Sequence, residues 1–197
     1  MKRILIVYGT SYGQTARIVR RLAEVLESMH FTVTCRRGDE LRDDAPLDGF
    51  DAVLVAASVQ FGRHQRHIEL FARQHAIMLS ALPSAFVSVC GALGGTSASG
   101  EREAAKYRED FVRRTGWHPA RSWSVAGRVA YTEYRFLLRL VMQFISWRTG
   151  RSTDTSRDHE FTDWSHVERI ARLFGEAVGG RPVAVPAASA SRFAGSR

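Results

Sequence analysis

The first apolar run, Ile4-Leu5-Ile6-Val7, is continuous rather than alternating, as in a strand covered on both faces. Helical spacing follows, with Ile18, Leu22, Val25, Leu26 and Met29 on one face. Phe31 to Cys35 then alternates apolar and polar, as an edge or near-edge strand does. Ala52 to Ala57 reads as another buried strand, and residues 66–79 as a helix that ends before Pro83. A fourth strand is predicted over Ala85–Val89, a polar helix over Glu101–Thr115 stopped by Gly116, and a fifth strand over Ser122–Val129. Val167, Ile170, Ala171 and Phe174 mark a last amphipathic helix that starts around Thr162 or Asp163. Strands alternating with helices at this spacing predict an α/β domain with a doubly wound, five-stranded parallel sheet. One domain is expected over residues 1–178, with the rhythm broken between about Tyr131 and Glu160. Residues 179–197 form a tail, rich in Ala, Ser and Pro from Arg181 on, that is expected to be disordered.

The loop after the first strand reads Gly9-Thr10-Ser11-Tyr12-Gly13-Gln14-Thr15 and leads into a helix. The hydroxyls of Thr10, Ser11 and Thr15 converge with backbone N–H groups on that helix N-terminus, a natural seat for a phosphate. The loop lacks the Gly-Lys-Ser/Thr ending of an ATP-type phosphate loop and is not a dinucleotide G-x-G-x-x-G. A hydroxyl that merely caps the helix is the alternative. Placement directly after a buried strand favours the phosphate.

Two further loops fall at the same end of such a sheet, where ligands bind beside the topological switch point. Ala57-Ser58-Val59-Gln60-Phe61-Gly62 follows the third strand, and Ser88-Val89-Cys90-Gly91-Ala92 follows the fourth. Together with Thr10–Thr15 they resemble the three flavin loops of flavodoxins. The resemblance implies an FMN phosphate on Thr10, Ser11, Tyr12, Gly13, Gln14 and Thr15. It implies that Ser58, Val59, Gln60, Phe61 and Gly62 lie along one side of the flavin ring, with Phe61 as the aromatic beside it. Ser88, Val89, Cys90, Gly91 and Ala92 would lie along the other. For Phe61 the alternative role is packing, and Cys90 is assigned no catalytic role, since a free cysteine at a strand end is usually buried packing.

A narrower resemblance covers most of residues 1–178. Ala57 to His64, Pro83-Ser84-Ala85-Phe86, Gly116-Trp117-His118-Pro119, Thr153-Asp154-Thr155 and Phe161-Thr162-Asp163-Trp164 are similar to the menaquinone-dependent protoporphyrinogen IX dehydrogenase family. That family is flavodoxin-like, binds FMN and carries an insertion interrupting its last strand, where residues 131–160 fall here. The resemblance implies oxidation of protoporphyrinogen IX in repeated two-electron turnovers, with a membrane quinone as oxidant. The segment Gly91–Gly100 is rich in small residues and reads as a flexible loop where family members can be more basic, a departure that bears on porphyrin contacts.

Composition adds one discriminating fact. With 45% hydrophobic and 24% charged residues the chain is an ordinary globular one, but its net charge is +8. A positive excess favours an anionic partner: nucleic acid, an anionic membrane surface or an acidic small molecule. Nucleic-acid binding would leave three flavin-type loops unexplained. A substrate with two propionates and a membrane-dissolved oxidant account for both. The rival readings are an electron-carrier flavodoxin, for which a basic surface and an insertion are out of character, and a flavin-dependent quinone reductase, for which no nicotinamide motif is present. Cys35 and Cys90 show no metal-ligand spacing, which with a strand beginning almost at Met1 gives a cytoplasmic expectation without a signal peptide.

His64 and His67, with Arg63 and Arg66, cluster after the second loop. They lack a third ligand for a metal, so a solvated helix start is expected, with contact to substrate propionates as the alternative. In the insertion, a helix is predicted over about Tyr134–Trp147. Phe136, Leu137, Leu138, Leu140, Val141, Met142, Phe144, Ile145 and Trp147 wrap most of its circumference, leaving Arg135, Arg139, Gln143 and Ser146 as a narrow polar stripe. Such a helix spans about 21 Å, short of the hydrocarbon core. It suits an interfacial seat at the inner face of the cell membrane, with burial in the domain or in a homo-oligomer contact as the alternative.

Overall fold

The aliphatic runs become the central strands of one sheet. A computed structural model describes residues 1–41, 47–91, 98–129, 159–160 and 162–180. In chain order these form β1 (Arg3–Gly9), α1 (Gln14–Ser28), β2 (Thr32–Arg37), β3 (Ala52–Gln60), β4 (Arg63–His64), α2 (Arg66–Gln74) and α3 (Ala76–Ala81). There follow β5 (Ser84–Cys90), α4 (Ala98–Thr115), β6 (Arg121–Ala126), β7 (Arg128–Val129), β8 (His159–Glu160) and α5 (Trp164–Gly179). The sheet order is β2-β1-β3-β5-β6, all parallel, with β4 folded back antiparallel on β3. This is the expected five-stranded doubly wound sheet, and its order reverses between β1 and β3.

Side chains of successive strand residues point to opposite faces, so each central strand feeds two cores. Ile4 and Ile6 of β1 join Ile18, Leu22 and Leu26 of α1 and Ile170 and Phe174 of α5. Leu5 and Val7 join Ile68 and Phe71 of α2, Phe86 of β5, Phe111 of α4 and Trp117. That double coverage is why the runs are continuous in sequence. On the second face Phe86 and Phe111 stack with ring centroids 4.0 Å apart, and Trp117 meets both edge-on at 6.3 Å.

Three boundaries differ from the sequence reading. The helix predicted over residues 66–79 breaks at His75, whose ring stacks on Phe71 and whose Nδ1 lies 3.0 Å from the Phe71 carbonyl. The third strand continues past Ala57 to Gln60 because β4 gives its end a partner. The fifth strand leaves the sheet after Ala126: Gly127 N–H donates to the Cys90 carbonyl at 3.0 Å, and β7 pairs instead with β8 in a two-stranded ribbon. The ribbon is the stem of the segment read as an insertion. The helix predicted over Tyr134–Trp147 and the tail from Arg181 lie outside the described residues. The last helix starts one residue after Asp163, whose carboxylate accepts from His166 N–H at 3.1 Å as its cap.

Phe111 ties α4 to the sheet through its stack on Phe86, and both rings are fully buried. Phe111→Ala is expected to lower stability by about 3–5 kcal/mol, read as a lower urea midpoint with an unchanged slope.

Candidate functional site

The loops after β1, β3 and β5 meet at the switch point. Gly9 ends β1 where α2 crosses closely: a Cβ there would lie 2.7 Å from Ile68 Cγ1 and 2.9 Å from Gln65 Oε1. Gly13, at φ 79, provides the left-handed residue from which α1 departs, with no side-chain cap. The hydroxyls of this loop are therefore not used as caps. Thr10 Oγ1 and Thr15 Oγ1 are buried with no hydrogen-bond partner among the described residues. Two open hydroxyls beside the first N–H groups of a 15-residue helix are the complement of an anion. Gln14 is buried beside them; its Nε2 donates to Thr162 Oγ1 at 2.8 Å, and Thr162 donates in turn to the Ala126 carbonyl at 2.8 Å.

Ser11 and Tyr12 are placed differently from each other. Ser11 Oγ donates to Gln60 Oε1 at 3.0 Å and accepts from Gln65 Nε2 at 3.2 Å, so it ties the first loop to the second. Gln65 Nε2 also donates to Ser58 Oγ. Tyr12 lines the cavity described below.

The second loop is the tip of the β3–β4 hairpin. Gln60 pairs with Arg63, leaving Phe61 and Gly62 as a two-residue turn, with φ 49 and φ 77 respectively. Positive φ at both turn residues suits the twist of a tight hairpin, but a bulky aromatic rarely occupies the first. Phe61 is also 84% exposed, so packing does not account for it. A strained, solvent-facing ring at a cleft is a mark of a ligand-contacting position.

Thr10, Tyr12, Gln14 and Thr15 from the first loop, Ser58 to Phe61 from the second, and Val89 and Gly91 from the third line one cavity of about 160 Å³. Gly127 completes it, a residue the sequence reading missed; Gly13 and Gly62 shape the turns beside it. Ser88 and Cys90 are buried in β5 beneath the cavity rather than lining it, and Ala92 lies outside the described residues.

The largest correction concerns His64. The sequence places it at a solvated helix start, yet it is 3% exposed. Its ring sits edge-on to Phe86 and Phe111 at 5.2 Å each, and its Nε2 shares a 2.9 Å hydrogen bond with Ser88 Oγ. Pairing of β4 with Val59 drives it inward, because residues opposed across a hairpin share one face. Burial pushes its pKa down to about 4, so the ring is neutral. His67 is half-buried and likewise lowered by burial. Among the described residues no group of three or more His, Cys, Asp or Glu could hold a metal ion.

A depressed histidine pKa means the unfolded chain binds its proton more readily, so this contribution to stability is complete above about pH 6.5 and is lost as pH falls toward 4. The loss is expected to reach roughly 3 kcal/mol. Urea titrations between pH 7 and 4.5 should show a shallower fall for His64→Gln than for the wild type.

Comparison with known proteins agrees with this architecture. The flavodoxin domain family matches residues 5–156. A curated Leishmania major protein named protoporphyrinogen IX dehydrogenase [quinone] is 30% identical, over 93% of this chain and 78% of its own length. The Escherichia coli K12 protein of the same name is 28% identical, over 86% of this chain and 93% of its own length. Among solved structures, the flavodoxin of Streptococcus pneumoniae TIGR4 superposes with a TM-score of 0.55 at 14% identity, covering 91% of this chain and 99% of that one, a likeness of fold. The chain belongs to the flavodoxin-domain family and, within it, to the protoporphyrinogen IX dehydrogenases.

Proposed function

We propose that the protein uses FMN to oxidise protoporphyrinogen IX to protoporphyrin IX and passes the electrons to a membrane quinone. The observation that carries this reading is the similarity, over most of both chains, to two curated enzymes of that name. The residues present fit FMN. The open hydroxyls of Thr10 and Thr15 at the start of α1 suit its phosphate, and the cavity between Val59–Phe61 and Val89–Gly91 suits a planar ring. When bound, FMN supplies the two-electron redox chemistry.

The remaining work falls to the chain. Thr10 to Thr15 bind the phosphate with neutral donors. Ser58, Val59, Gln60, Phe61 and Gly62 form one wall, which Ser11 and Gln65 hold to the phosphate loop. Val89 and Gly91 form the other, carried on Ser88 and Cys90 at the buried end of β5. No side-chain nucleophile is required. Among the described residues no helix is long and apolar enough to cross a membrane. Access to a membrane quinone is instead supported by the net charge of +8 and by the apolar pattern of the sequence from Tyr134 to Trp147, which suit a peripheral seat.

Removing an open hydroxyl should weaken the cofactor directly. Thr15→Val is expected to cost about 1–3 kcal/mol of FMN binding, measured by flavin fluorescence titration, with Thr10→Val similar. Anaerobic protoporphyrinogen IX should bleach the flavin of loaded protein, and added quinone should restore its colour as porphyrin fluorescence appears. No acceleration over the enzyme-free rate, together with electron shuttling between redox proteins, would establish the carrier reading instead.

A further inference from the structure

Four arginines from three elements gather behind the β3–β4 hairpin: Arg63 of β4, Arg66 and Arg73 of α2, and Arg114 in the last turn of α4. With Glu69 and Leu70 they line a second cavity, of about 480 Å³. Glu69 is the buried anion of the group. Arg63 Nη2 lies 2.6 Å from one of its carboxylate oxygens and Arg114 Nη1 3.3 Å from the other. The nearby Asp110 is paired with Arg113 at 2.7 Å. Arg66 and Arg73 are exposed and make no ion pair among the described residues.

One carboxylate facing four guanidinium groups leaves an excess of positive charge in a single concavity. Glu69 is satisfied by Arg63 and Arg114, so structural need accounts for those two only. Arg66 and Arg73 stand seven positions apart on α2, two turns along the same face, and both border the cavity. Guanidinium groups arranged in this way suit planar carboxylates, which they grip through paired N–H donors.

The location is as informative as the charge. Arg63 is opposed to Gln60 across the hairpin, and Gln60 lines the flavin cavity. Opposed residues in an antiparallel pair are about 5 Å apart, so this one pair of residues borders both cavities. We infer that the arginine cavity binds the carboxylates of the substrate, with Arg66 and Arg73 as the receiving cations and Arg63 and Arg114, fixed on Glu69, as the wall behind them. The identity of the ligand rests on the function proposed above: protoporphyrinogen IX carries two propionates, and a site beside the flavin would hold that edge while the ring reaches past Phe61.

The test uses full-length, FMN-loaded protein and two probes, protoporphyrin IX and its dimethyl ester, in which both carboxylates are masked as neutral methyl esters. The double variant Arg66→Gln/Arg73→Gln should bind protoporphyrin IX at least tenfold more weakly than wild type, and Arg66→Lys/Arg73→Lys should recover part of the loss. The dimethyl ester should bind weakly and equally to all three. In turnover of protoporphyrinogen IX, the loss should fall on KM more than on kcat. Equal binding of protoporphyrin IX by wild type and double variant overturns the inference, as does an equal loss for the ester. So does a double variant that still binds protoporphyrin IX but no longer sediments with phosphatidylglycerol vesicles, which would make the arginines a lipid-headgroup surface. Arginine-dependent binding without any oxidation by the wild type would uphold the site and defeat the proposed activity.

Discussion

Everything at the candidate site follows from the reversal of strand order between β1 and β3. Each parallel strand must send its chain back over one face of the sheet. β1 sends α1 over the face it shares with α5, while β3 sends α2 over the opposite face. The two loops therefore part above adjacent strand ends, and among the described residues no helix covers the gap between them. Buried polar groups that would elsewhere be paired can stay open there, as the Thr10 and Thr15 hydroxyls do. Close approach keeps the gap narrow: Gly9 lets Ile68 and Gln65 come against the first loop, and Gln65 then joins Ser11 to Ser58.

The hairpin on β3 is the costly part of this arrangement. A non-glycine residue held at positive φ is disfavoured by about 1–3 kcal/mol, and at Phe61 no burial of its own ring offsets that. The offset comes from the other end of the hairpin. His64 is packed against Phe86 and Phe111 and hydrogen-bonded to Ser88, which fixes β4 to the layer beneath the cavity. Keeping the ring neutral is the condition for this, since a buried imidazolium would have only Glu69 and Asp110 to favour it against desolvation and Arg114. The pH range over which the hairpin stays anchored is thus set by a residue that does not line the cavity.

How far the sequence discloses these features depends on whether their cause is local. The strands over Ile4–Val7, Ala52–Ala57 and Ala85–Val89 were legible because coverage on both faces leaves an unbroken apolar run. The three loops were legible because strand ends locate them. His64 was not, since Arg63, Gln65 and Arg66 surround it with polar neighbours and a two-residue strand carries no periodicity. A signal was present all the same: Phe61-Gly62 as a two-residue turn sets Val59 opposite His64 and implies a common inward face. The break at His75 was hidden because its ring competes for a helix carbonyl only once Phe71 is packed. Gly127 and Thr162 depend on contacts with Cys90 and Gln14, the second of these 148 residues distant, which no single sequence displays.

Charge is distributed unequally between the two cavities, in keeping with the functions proposed for them. Of the described residues that line the cavity at the switch point, none is lysine or arginine, although the chain carries 28 of them. The phosphate proposed to bind there would be met by hydroxyls, peptide N–H groups and the helix dipole, without a full cation in the cavity lining. Cations near a flavin alter its electronics as well as its affinity. Guanidinium charge is instead concentrated in the second cavity, on Arg63, Arg66, Arg73 and Arg114, with Arg63 opposed to Gln60 across the hairpin. With the functions proposed above, this arrangement would let the attraction for an acidic substrate be strong while the cofactor cavity itself is lined by uncharged groups. On that reading the hairpin, short as it is, contributes to both sites, Gln60 and Phe61 to one and Arg63 to the other.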